Sequence, residues 1–238
     1  MRDKAIAVMQ PYMFSYIGYW QLMNEVDLFV IYDDVNFIKR GWINRNNILE
    51  NGEASLFSMP LSGASQNKKI NEIPFFELSK WSHKFLNQLK KSYAKAPYFK
   101  EIEELLREVF NENYTENTSI VDLFIKHVEL IAQYLEIDIQ LSTSSKAFNN
   151  SMLKGQSRII DICSLVSAQK YINPIGGKEL YTTDVFEEEN IELCFLQSKP
   201  FEYKQFDNEF VPWLSILDVL MFNSKEEVKH QLNQFELV

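Results

Sequence analysis

Two continuous apolar runs, spaced one helix apart, restrict this chain more than any other feature. They are Ala5-Ile6-Ala7-Val8-Met9 and Leu28-Phe29-Val30-Ile31-Tyr32. Runs of this length without alternation read as strands buried on both faces, as in a parallel sheet covered by helices. Gln10-Pro11 ends the first run, and an aromatic loop follows over residues 12–18. Ile17, Trp20, Gln21 and Asn24 recur at helical spacing and predict a helix starting near Gly18. Strand, loop, helix and strand within about 28 residues make a βαβ unit. Such a unit brings both strand ends to one side. Gln10–Tyr16 and Asp33–Arg40 are therefore predicted neighbours, at the edge where open α/β sheets bind ligands.

The rest of the chain supports an α/β fold, Rossmann-like, with a mainly parallel sheet and a helical insertion. Residues 54–60 alternate enough for a strand, and residues 62–69, with Lys68-Lys69, read as a solvated loop. Trp81, Phe85, Leu89 and Tyr93 form an amphipathic stripe, continued after Pro97 by Ile102, Leu105, Leu106, Val109 and Phe110. Ser119-Ile-Val-Asp122 has capping-box spacing and opens a third helix. Residues 75–136 are thus read as a helical insertion or cap between an N-terminal part (1–74) and a C-terminal part (137–238) of one α/β domain. In the second part, strands are predicted at 137–142, 171–174 and 191–196. Helices are predicted at 155–166, within 177–189 and at 212–222, and another opens at the Ser224…Glu227 capping box.

Bulk properties exclude several classes. At 238 residues the chain can bury a large core, and 46% apolar with 24% charged residues is ordinary for a globular protein. A net charge of −9 argues against nucleic-acid binding through a general basic face. No run approaches the roughly 18 apolar residues of a membrane span. The start, MRDKAIAVMQP, has too short an apolar core and no small-residue cleavage site for a signal peptide. Cys163 and Cys194 lack metal-ligand spacing, which makes a disulfide framework a poor fit and the cytoplasm the expected compartment.

Candidate chemistry concentrates in residues 6–46, where Tyr12, Tyr16, Tyr19 and Trp42 accompany charges of both signs. Asp33 and Asp34 close the second strand, as a base, as binders of sugar hydroxyls, or as a turn paired to Lys39 or Arg40. With Lys39 they are the candidate catalytic groups. No His, Cys or third acid lies nearby at metal spacing, and no metal is expected. Asn44-Arg45-Asn46 either contacts a phosphate or carboxylate through Arg45 or caps a turn through its asparagines. Arg158 lies in the first turn of one predicted helix, and Lys178 follows Gly176-Gly177 at the start of another. Cations there oppose the helix dipole. A bound anion, approached by the glycine backbone, offsets this; otherwise both cations simply reach solvent. Ser215-Ile-Leu-Asp218 is either a helix start or places Asp218 against a ligand, and Tyr203, Gln205, Phe210 and Pro212 precede it in an extended segment able to line the cleft. His83, His127 and His230 read as structural or exposed, and Cys163 as core.

The chain resembles the WbqC-like family of bacterial proteins over essentially its whole length. The resemblance rests on Gln10-Pro11-Tyr12, Tyr16-Ile17-Gly18-Tyr19, Tyr32-Asp33-Asp34 and Ile38 to Asn46. It continues through Arg158-Ile-Ile-Asp161-Ile-Cys163, Asn173 to Tyr181, and Phe210 to Asp218. Where many relatives carry proline, this chain has Ser15. The resemblance implies a role in surface-polysaccharide, O-antigen and modified-sugar biosynthesis. Acyl or aminoacyl transfer to a nucleotide-linked amino sugar is the expected activity, with an acyl or aminoacyl donor, and the family transfers no catalytic residue. Gln10, Tyr12, Tyr16, Gly18, Tyr19, Arg40, Trp42, Asn44, Arg45, Asn46, Arg158, Gly176, Gly177, Lys178 and Asp218 are the expected binding residues for a phosphate-bearing partner. The topology is also similar to HIGH-type nucleotidylyltransferases, whose two histidines would fall on Tyr16 and Tyr19. Nucleotidyl or adenylyl transfer and a non-enzymatic sugar-binding subunit are the alternatives.

Overall fold

The computed structural model describes residues 3–110, 114–115 and 118–238. Met1 and Arg2, part of the charged N-terminal start, lie outside them. In chain order the elements begin with β1 (Ala5–Met9), α1 (Ile17–Glu25), β2 (Leu28–Ile31), β3 (Arg45–Glu50) and β4 (Glu53–Ser58). Three long helices follow: α2 (Leu78–Tyr93), α3 (Phe99–Val109) and α4 (Ile120–Leu135). The chain then returns to alternation with β5 (Leu141–Ser142), α5 (Gly155–Leu165), β6 (Lys170–Pro174), α6 (Thr183–Glu188) and β7 (Glu192–Ser198). It ends with α7 (Ile216–Phe222), α8 (Lys225–Gln231) and β8 (Phe235–Leu237).

The central sheet has the order β5-β2-β1-β6-β7-β8. Every pair is parallel except β7 with β8. Counting only the parallel strands, the order is 3-2-1-4-5, the doubly wound arrangement. The fold is mixed α/β with a mainly parallel sheet, consistent with the Rossmann-like expectation. Strand order reverses between β1 and β6, so their C-terminal ends define the crevice where such sheets bind ligands.

The apolar runs explain why the sheet is buried on both faces. Strand side chains alternate, so Ile6, Val8 and Val30 pack with Ile159, Ile162 and Phe186 on the α5–α6 face. Ala5, Ala7, Phe29 and Ile31 point the other way, into a larger core shared with α1, α4 and α7. The β3–β4 hairpin and α2–α4 are all inserted between β2 and β5. Phe85, Leu89 and Tyr93 from the α2 stripe join that larger core.

Both capping boxes form. Ser119 Oγ accepts from Asp122 N at 3.2 Å, while the Asp122 carboxylate accepts from Ser119 N at 2.9 Å. Ser224 and Glu227 make the same reciprocal pair at 3.2 and 2.7 Å. Ser224→Ala is expected to cost about 1 kcal/mol, read as a lower denaturation midpoint at unchanged slope.

Two expectations need correction, and two strands were not predicted. The strand placed at 137–142 pairs only through Leu141 and Ser142. The helix placed at 212–222 begins at Ile216, because Trp213 adopts φ +61° and Ser215 is extended. The short helix expected within 177–189 is α6, preceded by a 3-10 turn at Ile175–Leu180. The strands β3 and β8 were not predicted: β3 opens on Arg45-Asn46-Asn47, polar residues without strand alternation, and β8 is a short edge.

Candidate functional site

The βαβ geometry brings the two aromatic and charged loops together. Tyr32 N donates to Met9 O at 2.8 Å, and Met13 N donates to Ile43 O at 3.1 Å. Gln10–Tyr16 and Asp33–Arg40 therefore share the C-terminal edge of the sheet.

Asp33 and Asp34 form a buried knot there. Asp33 Oδ1 accepts from Ser144 Oγ (2.8 Å) and Ser145 N (3.0 Å), and Oδ2 from Asn71 Nδ2 (3.1 Å). Asp34 accepts from Ser145 Oγ and takes Arg158 Nη2 at 2.7 Å on each oxygen. The ion pair is thus made with Arg158 rather than with Lys39 or Arg40. Arg158 is 2% exposed, donates Nε to Asn150 Oδ1 at 2.9 Å and lies 4.9 Å from the centre of the Tyr32 ring. Its guanidinium is already engaged by a carboxylate and an amide. That neutralises the cation within α5 without any bound anion.

The basic segment divides differently. Lys39 and Arg40 are exposed and have no ion pair among the described residues. Arg45 donates Nε to Gly41 O at 2.8 Å and stacks 5.5 Å from the centre of the Trp42 ring. Asn44 Nδ2 donates to Met59 O (2.7 Å) and Asn46 Nδ2 to Phe14 O (2.8 Å). These asparagines brace the loop against its neighbours, while Trp42, Lys39 and Arg40 face solvent.

At the reversal between β1 and β6 tyrosines gather on both faces of the sheet. Tyr19 OH donates to Gln10 O at 2.7 Å, Tyr12 OH to Gln10 Oε1 at 3.3 Å, and the Tyr12 and Tyr19 rings lie 5.9 Å apart. Across the sheet, the Tyr171 and Tyr181 hydroxyls are 3.0 Å apart, and Tyr171 OH donates to Asn173 Oδ1 at 3.3 Å. Tyr32, from the end of β2, packs on the same face. Burial pushes the hydroxyls of Tyr12, Tyr32 and Tyr181 above their ordinary value, so they stay protonated at neutral pH. Sequence reasoning missed Tyr171, Asn173 and Tyr181 as site residues. Their signal was their position, at and just beyond the end of the strand that adjoins β1.

Gly176 and Gly177 follow β6 and differ in kind. A Cβ on Gly177 would fall 2.1 Å from Asn173 Nδ2, so this glycine makes room for Asn173. A Cβ on Gly176 would meet nothing within 4 Å, leaving its backbone open to a ligand. Lys178 is exposed and has no ion pair among the described residues. It sits in a 3-10 turn, and α6 begins only at Thr183, so the helix-dipole argument does not apply at Lys178.

Tyr16, Gly18 and Asp218 belong to a neighbouring part of the same edge, where β7 ends against the start of α1. A Cβ on Gly18 would lie 2.6 Å from the Tyr16 ring and 2.7 Å from Ser198 Oγ, so glycine lets both close onto the helix. Asp218 is fully buried and accepts from Tyr93 OH (2.8 Å), Tyr203 OH (2.5 Å) and Gln205 Nε2 (2.7 Å). It begins no capping box, since the Ser215 hydroxyl makes no cap bond.

Activated nucleophiles are missing from the cysteines and histidines. Burial pushes the Cys163 thiol up to about 12 and, with Glu192 beside it, the Cys194 thiol up to about 11. Burial pushes the His127 imidazole down to about 3, and His83 and His230 are exposed. Among the described residues no three His, Cys, Asp or Glu side chains converge as metal ligands, and no helix is long and apolar enough to cross a membrane.

Fold and edge together define a doubly wound α/β protein that gathers tyrosines at its sheet reversal, with exposed cations on the loops beyond the strand ends. The chain belongs to the WbqC-like protein family, whose sequence pattern matches residues 10–230. It is also 28% identical over 232 residues to the uncharacterized protein Rv1507c of Mycobacterium tuberculosis, covering 96% of this chain and 97% of that protein. No solved structure matches.

Proposed function

We propose that this protein is a cytoplasmic transferase of bacterial surface-polysaccharide and modified-sugar biosynthesis, moving an acyl or aminoacyl group onto a nucleotide-linked amino sugar. The observation that carries this reading is the sheet reversal between β1 and β6. There, open backbone at Gly176 and unpaired Lys178 share an edge with unpaired Lys39 and Arg40. Cations and exposed backbone suit a diphosphate, and protonated tyrosines suit sugar hydroxyls. Asp33 and Asp34 shape this edge through Ser145 and Arg158. With both thiols protonated, direct attack of the sugar amine on the donor carbonyl is favoured over an acyl-enzyme. The amine nitrogen forms the new bond, and the donor's leaving group departs with the amine proton.

A thermal-shift screen tests this. A UDP- or dTDP-linked amino sugar at about a hundred times its Kd should stabilise the protein by about 2.7 kcal/mol. Binding of acyl thioesters or aminoacyl donors without any sugar nucleotide would redirect the assignment. Lys178→Ala should weaken sugar-nucleotide binding about tenfold, one phosphate contact of roughly 1.4 kcal/mol, at unchanged melting temperature. Adenylyl transfer of the HIGH type gains little support, because Tyr19 is buried with its hydroxyl donated to Gln10 and burial holds it protonated. Nucleoside triphosphate binding with magnesium and release of pyrophosphate would revive it. A sugar-binding subunit without catalysis would bind the nucleotide sugar and never turn it over.

A further inference from the structure

The segment between β7 and α7 encloses a cavity of about 320 Å³, within the range of small-molecule sites. Its walls are largely aromatic: Tyr16, Phe201, Tyr203, Phe210 and Trp213, with Leu214 behind them. It opens where β7 ends beside the first turn of α1, on the same edge of the sheet as the crevice between β1 and β6. Tyr203, Phe210 and Pro212 of its C-terminal wall belong to the extended segment that the sequence offers as a cleft lining, whereas Phe201 and Trp213 were not among the expected residues.

Two features mark it as a built site rather than a packing gap. The first is Trp213. It is 76% exposed and holds φ +61°, a left-handed conformation that is an outlier for a bulky side chain. An exposed indole held in a strained backbone conformation fits the ligand-clamping positions where such strain concentrates. The Trp213 ring stands edge-on to Tyr16, with centroids 6.1 Å apart at 68°. The second is the bracing of the opposite wall. Asp218 fixes Tyr203 and Gln205, and Gln205 in turn holds Val211 through Val211 N→Oε1 (2.7 Å) and Nε2→Val211 O (3.2 Å). Tyr203 meets Phe210 edge-to-face at 5.1 Å and Phe201 at 5.0 Å. A buried carboxylate is thereby committed to holding one aromatic wall in place.

The lining also selects among ligand groups. A pyranose brings several hydroxyls, and the cavity has few free partners for them, since Ser198 Oγ already donates to Gln21 Oε1 at 2.6 Å. An aliphatic chain needs no aromatic faces. A planar heteroaromatic ring uses both the faces and the scarce polar groups at the rim, Glu202 and Lys199, the latter 3.4 Å from Glu236 Oε1. We infer that this cavity is the base subsite of the nucleotide carrier, with Trp213 and Tyr16 closing on the ring. The inference rests on the transferase reading for its carrier, but its test does not.

Uridine diphosphate and thymidine diphosphate, with inorganic pyrophosphate as a ring-free control, would be titrated into the full chain and into Trp213→Ala. The expected result is nucleoside diphosphate affinity at least about tenfold weaker in the variant, with pyrophosphate affinity unchanged. Saturation-transfer difference NMR on the wild type should label the base protons more strongly than the ribose protons, which needs no variant to fold. Equal affinity in both proteins, or stronger labelling of the ribose, would overturn the assignment, as would competition for the cavity by an acyl thioester alone. If the diphosphates bind through Trp213 but no amino sugar is acylated, the subsite stands and the transferase reading falls. If an amino sugar is acylated with the Trp213→Ala variant unimpaired, the reverse holds.

Discussion

Arg158→Met is expected to destabilise the protein by about 3–5 kcal/mol, the loss that follows when one partner of a buried ion pair is removed. Nη2 alone bridges both Asp34 oxygens, and the pair is nearly free of solvent, with the Arg158 side chain 2% and the Asp34 side chain 10% exposed. Removing the guanidinium leaves Asp34 with the Ser145 hydroxyl and no counter-charge, and leaves Asn150 Oδ1 without its donor. The damage spreads beyond one contact, because the knot joins the end of β2 to the turn at Ser144-Ser145 and to α5. Asp34→Asn combined with Arg158→Met should recover part of the loss, since buried pairs replaced on both sides are often near neutral. Urea denaturation of the two single variants and the double variant measures the coupling. The same series decides what Arg158 does for a ligand. A residue that held phosphate directly would lose affinity in Arg158→Lys with little loss of stability. The geometry here predicts the opposite order, because lysine cannot hold Asp34 and Asn150 at once as Nη2 and Nε do.

The parallel core was legible because it depends on patterns carried within each segment. Unbroken apolar runs at Ala5–Met9 and Leu28–Ile31 can serve only as strands covered on both sides, and the 28-residue βαβ spacing fixes which loops meet. The capping boxes at Ser119 and Ser224 were equally readable, being local and stereochemically determined. What escaped was set by partners distant in sequence. Nothing around Asp34 announces Arg158, 124 residues later, so the nearer Lys39 and Arg40 looked like its partners. Asn44 and Asn46 could equally brace a loop or meet a ligand, and only the positions of Met59 and Phe14 decide for bracing. The cavity wall at 199–214 was legible in part: Tyr203, Gln205, Phe210 and Pro212 stood out as an extended segment able to line a cleft, but Trp213 did not. Its key residue, Trp213, departs from the helical pattern by one backbone angle, and the force holding its neighbours comes from a carboxylate that looked like part of a helix start.

Asp218→Ala should prove nearly as damaging, at on the order of 4 kcal/mol, because it strands three donors at roughly 1–3 kcal/mol each, less what relaxation recovers. Tyr93 OH would keep its role as acceptor from Leu49 N at 2.6 Å but lose its own acceptor. Tyr203 and Gln205 would lose theirs and loosen the cavity wall with them. Asp218→Asn keeps the volume and separates charge from packing through its pH dependence. Burial raises the Asp218 carboxyl above its ordinary 3.8, against the pull of its three donors. A carboxyl raised on folding binds its proton more tightly in the folded state. Its contribution to stability is therefore fully present below 3.8 and is lost as pH climbs through the higher folded value. Asparagine has no proton to lose, so the stability gap between wild type and Asp218→Asn should narrow as pH rises from about 3 through that window and then stay constant. Denaturation at a series of pH values reads this difference directly, and a gap that widened with rising pH would mean that the donors, not burial, dominate the carboxylate. The wall gives a second readout, since Asp218→Asn should also weaken nucleoside diphosphate binding.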